Sequence, residues 1–399
     1  MENNSIKLKN QLFILNKIKD NGPISRVQLQ KATKLGWGTV TKCVNDFLEK
    51  EIIIELGAEK TDFGRKPINV DINTNTNYVI GMRIGRSEIR IILMNARGIL
   101  IDYIEVSVNY NEEEIIAFLK NLINIIITKN NISINLLAGI GISTPGFFNN
   151  ENCMITKLPD LPALINKPIK QELEKEFRVP CFLEHSNNCF ALGEQQFGYG
   201  KGKKNFLSVL IGSGLSVGIV IDGKIYKGFN NSSGEFGHIP IKTTGKICTC
   251  GSKDCLELFA SGKALRMEGQ RIVTENPDSS LLDYTENNSI EEIKGENIFA
   301  AANDGNDIAK EIFKEFGKSL GKGLSILINL FNPEIIIIGG KVTKSSKFFI
   351  EDMQKSIAEY SWSNCCQEIK ISKINNIACI GAASYVIENM YHSNLIIEK

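Results

Sequence analysis

Between residues 234 and 257 the chain reads Gly234-Glu235-Phe236-Gly237-His238, then Cys248-Thr249-Cys250-Gly251, then Cys255-Leu256-Glu257. One imidazole and three thiolates, from His238, Cys248, Cys250 and Cys255, complete a tetrahedral shell suited to Zn2+ with no position left for a catalytic water. The expected ion is therefore structural. With only three histidines in the chain, chance is a poor account of this spacing. The plainer alternative is a group of reduced, buried cysteines. A zinc ribbon that reads DNA is the other, and the flanking carboxylates argue against it. Glu235 and Glu257 border the loop, where a rigid, metal-pinned segment can present carboxylates as acceptors for sugar hydroxyls. The ring nitrogen of His238 that does not bind metal is free to face a ligand. The alternative for both glutamates is a solvated surface.

A second group lies at the basic end. Residues 1–70 carry 12 Lys+Arg against 8 Asp+Glu, and the remainder 34 against 37, within a net charge of +1. That asymmetry points weakly to nucleic acid. The elements behind it say more. Leu8, Leu12, Leu15 and Ile18 recur at helical spacing up to Asn21-Gly22-Pro23. Ser25 and Gln28 form a capping box for a short second helix ending near Thr33. After a turn at Leu35-Gly36, a third helix gathers Val40, Val44, Phe47 and Leu48 on one face and Thr41, Lys42 and Asn45 on the other. This is the layout of a recognition helix, with Trp37, Gly38 and Thr39 near the phosphates. Strand-like Ile52 to Leu56 leads to a polar turn ending at Pro67, a wing whose Arg65 and Lys66 suit phosphate or a narrow minor groove. A three-helix interaction domain with solvated Lys and Thr is the alternative, and Trp37 then serves as a core or hinge aromatic.

The rest of the chain repeats itself. Tyr78 to Ile84, a turn over Gly85 to Glu88, and Ile89 to Met94 before Arg97-Gly98 match Phe206 to Ile211, a turn over Gly212 to Ser216, and Val217 to Ile221 before Asp222-Gly223. Two copies of strand, glycine turn and strand predict two related α/β lobes facing a cleft, with turns whose amides can meet an anion. Accidental similarity of common hairpins is the competing account. The 399 residues, 43% hydrophobic and 23% charged, suffice for two or three compact units. Met1 to Lys9 is polar and no stretch is apolar enough for a membrane span, so a cytoplasmic protein with no membrane partner is expected.

Taken together, these segments resemble the ROK family of bacterial repressors and sugar kinases over nearly the whole chain. Gly234 to His238, Cys248 to Glu257 and Ala260-Ser261-Gly262 resemble its zinc signature. Ser143-Thr144-Pro145-Gly146 resembles its first-lobe motif, Asn332-Pro333-Glu334 through Ile338 to Gly339-Gly340 its second-lobe strand, and Gly381-Ala382-Ala383 its C-terminal helix. The added N-terminal segment resembles that of the repressor branch, which includes repressors of xylose and N-acetylglucosamine genes. The resemblance implies an all-α winged helix-turn-helix joined to an actin-like, ribonuclease H-like, two-lobed α/β sugar-kinase fold. The expected parts are a DNA-binding domain over 1–72, a first lobe over 73–190 with a helix at 384–399 packed on it, and a second lobe over 191–383. It also implies a monosaccharide effector on Glu235, His238 and Glu257, a double-stranded DNA operator, and a homodimer or higher homo-oligomer.

In the family's kinases an Asn-Asp pair precedes Ala-Leu-Gly-Glu, and the Asp takes the proton from the attacking hydroxyl. This chain aligns His185-Ser186 there, ahead of Ala191-Leu192-Gly193-Glu194, so both are expected near sugar and no catalytic residue is assigned. An ordinary serine hydroxyl is no general base near neutral pH. The kinases' first turn, Asp-x-Gly-Gly-Thr, is Arg83-Ile84-Gly85-Arg86-Ser87, and the second keeps two glycines in Gly212-Ser213-Gly214-Leu215-Ser216. The expectation is a sugar-responsive repressor without catalysis. The alternatives are an active sugar kinase carrying a DNA-binding domain and a ligand-free dimerisation module.

Overall fold

In a computed structural model of the chain, residues 2–57, 68–85, 88–108, 115–149, 154–158, 161–362 and 368–392 are described. They fall into two compact units, Met1–Cys189 with Asn376–Lys399, and Phe190–Asn375.

The first unit begins with α1 (Glu2–Asn21), β1 (Ile24–Ser25), α2 (Arg26–Thr33), α3 (Trp37–Glu49), β2 (Ile53–Leu56) and β3 (Asn69–Ile72). Both hydrogen bonds of the Ser25–Gln28 capping box form at the start of α2. Lys34, left-handed at φ 59°, closes the helix and makes the turn into α3. Leu15, Ile18, Leu29, Val40, Val44 and Phe47 are fully buried where the three helices meet. The strands form an antiparallel sheet in the order β1-β3-β2, a winged helix-turn-helix arrangement. Arg65 and Lys66 lie outside the described residues.

The same unit continues through β4 (Tyr78–Ile84), β5 (Glu88–Met94), β6 (Leu100–Ser107), α4 (Ile115–Lys129), β7 (Leu137–Thr144), the short pair β8 (Phe147–Phe148) and β9 (Ile155–Lys157), α5 (Ile169–Phe177) and β10 (Cys181–His185). The sheet order is β10-β7-β4-β5-β6, with β4, β5 and β6 antiparallel and β4, β7 and β10 parallel. Helix α6 (Ser186–Phe197) then crosses into the second unit.

The second unit holds β11 (Phe206–Ile211), β12 (Leu215–Ile221), β13 (Lys224–Ile225), α7 (Gly262–Glu275), α8 (Gly295–Asn303), α9 (Asp307–Phe331), β14 (Ile335–Gly339), α10 (Ile350–Tyr360) and β15 (Glu368–Ile371). Its sheet, β13-β12-β11-β14-β15, repeats the order of the first. The duplication seen in the sequence is thus a duplication of topology, and the fold is of the actin-like, ribonuclease H-like kind.

The last helix, α11 (Ile377–His392), belongs to the first unit. It starts seven residues before the expected 384, and the second unit ends at Asn375 rather than 383. The reason is close backbone packing. A side chain at Gly81 would collide with the Cys379 carbonyl, one at Gly141 with the Ala382 carbonyl, and one at Gly381 with the Cys189 carbonyl. Residues 1–72, expected as a domain of their own, form one compact unit with this sheet. The expected turns are also tighter: Glu88 and Leu215 already lie in strands.

Candidate functional site

In the second unit, the loop after β13 brings His238, Cys248, Cys250 and Cys255 together, with one donor atom of each within 4.8 Å of the others. Cys248 Sγ lies 3.7 Å from His238 Nδ1, and Cys250 Sγ 3.7 Å from Cys255 Sγ. A tetrahedral ion with metal–sulfur bonds of about 2.3 Å needs sulfurs roughly 3.8 Å apart, so the donor set fits. Burial and the neighbouring Cys250 and Cys248 push the Cys255 thiol up to about 12. A bound cation reverses that, since it favours thiolate.

The chain around these donors is built to hold them. Gly251, at φ 96°, lets its amide bond the Cys248 carbonyl in a tight turn. Asp254 accepts the amides of Thr244, Gly245 and Lys246 and the Thr244 hydroxyl, which holds its carboxyl below the usual carboxylate range. Sequence reasoning passed over Asp254, because its role appears only once the loop has closed. Gly237 is pressed on the Leu215 carbonyl, where a side chain would collide.

The expected sugar carboxylates flank this loop. His238 Nε2, the nitrogen turned away from the thiols, points to Glu235 Oε2 at 3.8 Å. Burial, with repulsion from Glu257, pushes the Glu235 carboxyl up, while His238 opposes the shift. Glu257 Oε2 accepts the Leu215 amide at 3.1 Å, which ties the loop to the start of β12. Ser261 caps α7, and the amide of Gly262 bonds the Gly212 carbonyl at 2.7 Å, so the second glycine turn and the loop form one assembly.

In the first unit, His185 ends β10 and stacks on Phe148 with ring centroids 4.2 Å apart. Ser186 begins α6 and its Oγ lies 3.1 Å from Ser143 Oγ, which joins it to the Ser143-Thr144-Pro145-Gly146 motif. The first turn differs from the second. Arg83 folds over Gly85, where an added Cβ would lie 3.0 Å from Nη1, and donates to Glu88 at 3.1 Å. Arg86 lies outside the described residues.

On the winged segment, Trp37 is the first residue of α3 and 48% exposed, which removes it from the core. Lys42 and Asn45 are exposed on α3, and Thr39 and Thr41 half-buried. Arg26, which sequence reasoning did not single out, donates to Asn45 Oδ1 at 3.2 Å and to Glu55 at 3.1 Å. Its partners lie 19 and 29 residues away, so no local pattern marks it.

The sequence model of the ROK family matches residues 79–389. A curated protein named xylose repressor, from Caldicellulosiruptor bescii, is 30% identical over 390 residues, 96% of this chain and 97% of its own length. The DNA-binding transcriptional dual regulator NagC of Escherichia coli is 27% identical, over 98% of this chain and 95% of its own. Among solved structures, a ROK family transcriptional regulator described as a homologue of the E. coli MLC protein superposes with a TM-score of 0.84 at 28% identity, covering 99% of this chain and 100% of that one. A ROK family glucokinase from Streptomyces griseus gives 0.68 at 25% identity, covering 77% of this chain and 99% of that one.

Proposed function

The chain belongs to the ROK family, and from that premise we propose that it is a sugar-responsive transcriptional repressor of carbohydrate-utilisation genes. The observation that carries this reading is the near full-length match to named repressors, winged segment included. Trp37, Thr39, Thr41, Lys42 and Asn45, together with Arg65 and Lys66, are proposed to meet DNA. Lys42, exposed on α3, supports that assignment. A homodimer would present two such helices to a two-fold operator.

Zn2+ is proposed on His238, Cys248, Cys250 and Cys255, where it would supply rigidity and no chemistry. Glu235, Glu257 and the outer nitrogen of His238 are proposed to accept or donate to the hydroxyls of a monosaccharide, with His185 and Ser186 as the sugar contacts of the first unit. No residue is proposed as a kinase base. Ser186 cannot take that part, and the Arg83–Glu88 pair occupies the first turn. Sugar then acts by binding one conformation better, a preference of about 1–3 kcal/mol in typical allosteric proteins.

The test is a gel shift on the DNA upstream of the protein's own gene, repeated across a panel of pentoses and hexoses. Release or tightening by one of them is expected, and no binding to that DNA in any condition would sink the reading. Lys42→Ala should weaken operator binding about tenfold and reduce its salt dependence by one ion, with sugar affinity unchanged.

A further inference from the structure

Four segments distant in sequence meet at the turn after β5. Buried Asn95 accepts the amides of Arg97 and Ile99 on its Oδ1, at 3.0 Å each, and so fixes that turn. From it Arg97 reaches the winged segment twice. It pairs with Asp71 on β3, and its Nη1 donates to the Lys19 carbonyl in the last turn of α1 at 3.5 Å. That carbonyl lacks its usual helical partner, because the residue four positions on is Pro23, which has no N–H. A cation here also faces the negative end of the α1 dipole. Gly22 makes room for the contact: an added Cβ would lie 2.5 Å from Asp71 Oδ1 and 2.7 Å from Arg97 Nη2.

The same turn is tied to α11. The fully buried Tyr391 donates its phenol to the Ala96 carbonyl at 3.2 Å, and its own carbonyl accepts Asn16 Nδ2 of α1 at 2.8 Å. Through Gly81, Gly141 and Gly381, α11 is pressed backbone to backbone on the first sheet and on Cys189, four residues after His185. A chain of close contacts therefore runs from the β10–α6 junction along α11 to α1.

We infer that Arg97 is a positioning residue for DNA binding, which locks α1 and β3 of the segment that carries the recognition helix to the sheet that ends at His185, one residue before Ser186. This rests on the repressor reading. A partly exposed ion pair of this kind contributes little to folding. Its value is directional, because the planar guanidinium holds a carboxylate and a carbonyl on two different elements at once. With the lock in place, a shift of the sugar-bearing junction moves α3; without it, the shift is absorbed between the winged segment and the sheet.

The chain has two tryptophans, so Trp362→Phe leaves Trp37, at the head of α3, as the only fluorophore of its kind. Time-resolved anisotropy of that protein should decay with overall tumbling. Adding Arg97→Ala should introduce a faster nanosecond component of large amplitude, which Arg97→Lys reduces by keeping the charge toward Asp71. Arg97→Ala should also bind operator DNA about tenfold more weakly, keep its sugar affinity, and lose the response: the ratio of DNA affinities without and with the effective sugar should fall to within twofold of one. Unchanged anisotropy overturns the inference, and so does a faster decay with operator affinity and sugar response within twofold of the parent. Should the parent bind no operator at all, the repressor reading fails by itself, and the anisotropy still decides whether Arg97 holds α3.

Discussion

The two five-stranded sheets share one strand order and differ at the hairpin between their first two strands. In the first, Arg83 lies over Gly85 and pairs with Glu88, which also meets Arg90 at 3.2 Å. In the second, Gly212 and Gly214 keep the backbone bare, and an added Cβ at Gly212 meets nothing within 4 Å. The scaffold holds its shape with either hairpin, so the site is decided by what is grafted on each turn. One turn has been filled with paired charge. The other remains open and is braced by Gly262 and the cysteine loop.

That contrast predicts unequal dependence on metal, and this is the largest effect expected. Cys255→Ser should leave the purified protein with far less than the one zinc per chain expected of the parent, and destabilise the second unit by at least about 3 kcal/mol. Sugar-dependent thermal shifts should vanish, because Glu235 and Glu257 stand beside the four residues proposed to hold the metal. A metal-free, well-folded parent that still responds to sugar would break the comparison.

Glycines sharpen it next. Gly141→Ala, facing the Ala382 carbonyl of α11, should cost about 2–4 kcal/mol in denaturant unfolding, since backbone must move. Gly212→Ala should be within about 0.5 kcal/mol of the parent. If both are neutral, the close packing of α11 on the first sheet is wrong.

The hairpins also set the expectation for phosphoryl transfer. The parent should show no turnover above background in a coupled ATP assay on any sugar of the panel. Ser186→Asp should remain inactive, because it supplies a carboxylate while Arg83 still lies over the first turn. Turnover by the parent would make the first hairpin a working nucleotide turn and erase the distinction drawn between the two.

How much of this was legible in the sequence follows the range of the interactions. The capping box of α2 and the His238–Cys255 donor set depend on residues close together in the chain; the first forms as expected, and the four residues of the second come together in the fold. The paired hairpins were legible because each strand is a short apolar run bounded by glycine. The start of α11 was not, because Ile377 to Ala383 is a run of small and apolar residues with no polar face to mark a helical period. The Arg97 joint and the Arg26–Asn45 contact were invisible for another reason: both are polar contacts made across folded elements, and spacing carries no trace of them.

The smallest prediction extends the comparison to buried charge. The first hairpin's carboxylate, Glu88, has cationic partners. In the second unit Glu194 is fully buried and, among the described residues, accepts from two neutral donors, the Ser372 hydroxyl and the Tyr199 amide. Burial pushes its carboxyl above the usual carboxylate range, and those two hydrogen bonds only partly oppose the shift. The folded chain thus holds a proton that the unfolded chain releases above about pH 4.3. Stability from this group is fully present below that pH and is lost as pH rises through the folded-state value. Glu194→Gln keeps the shape and cannot ionise, so it should melt about 2 °C higher than the parent at pH 8. The gain should shrink as the pH falls toward the usual carboxylate range, where the parent's carboxyl takes up its own proton. A Gln variant that melts lower at pH 8, or a gain that does not change with pH, would mean that Glu194 is held as a carboxylate, and that charge is compensated in both units alike.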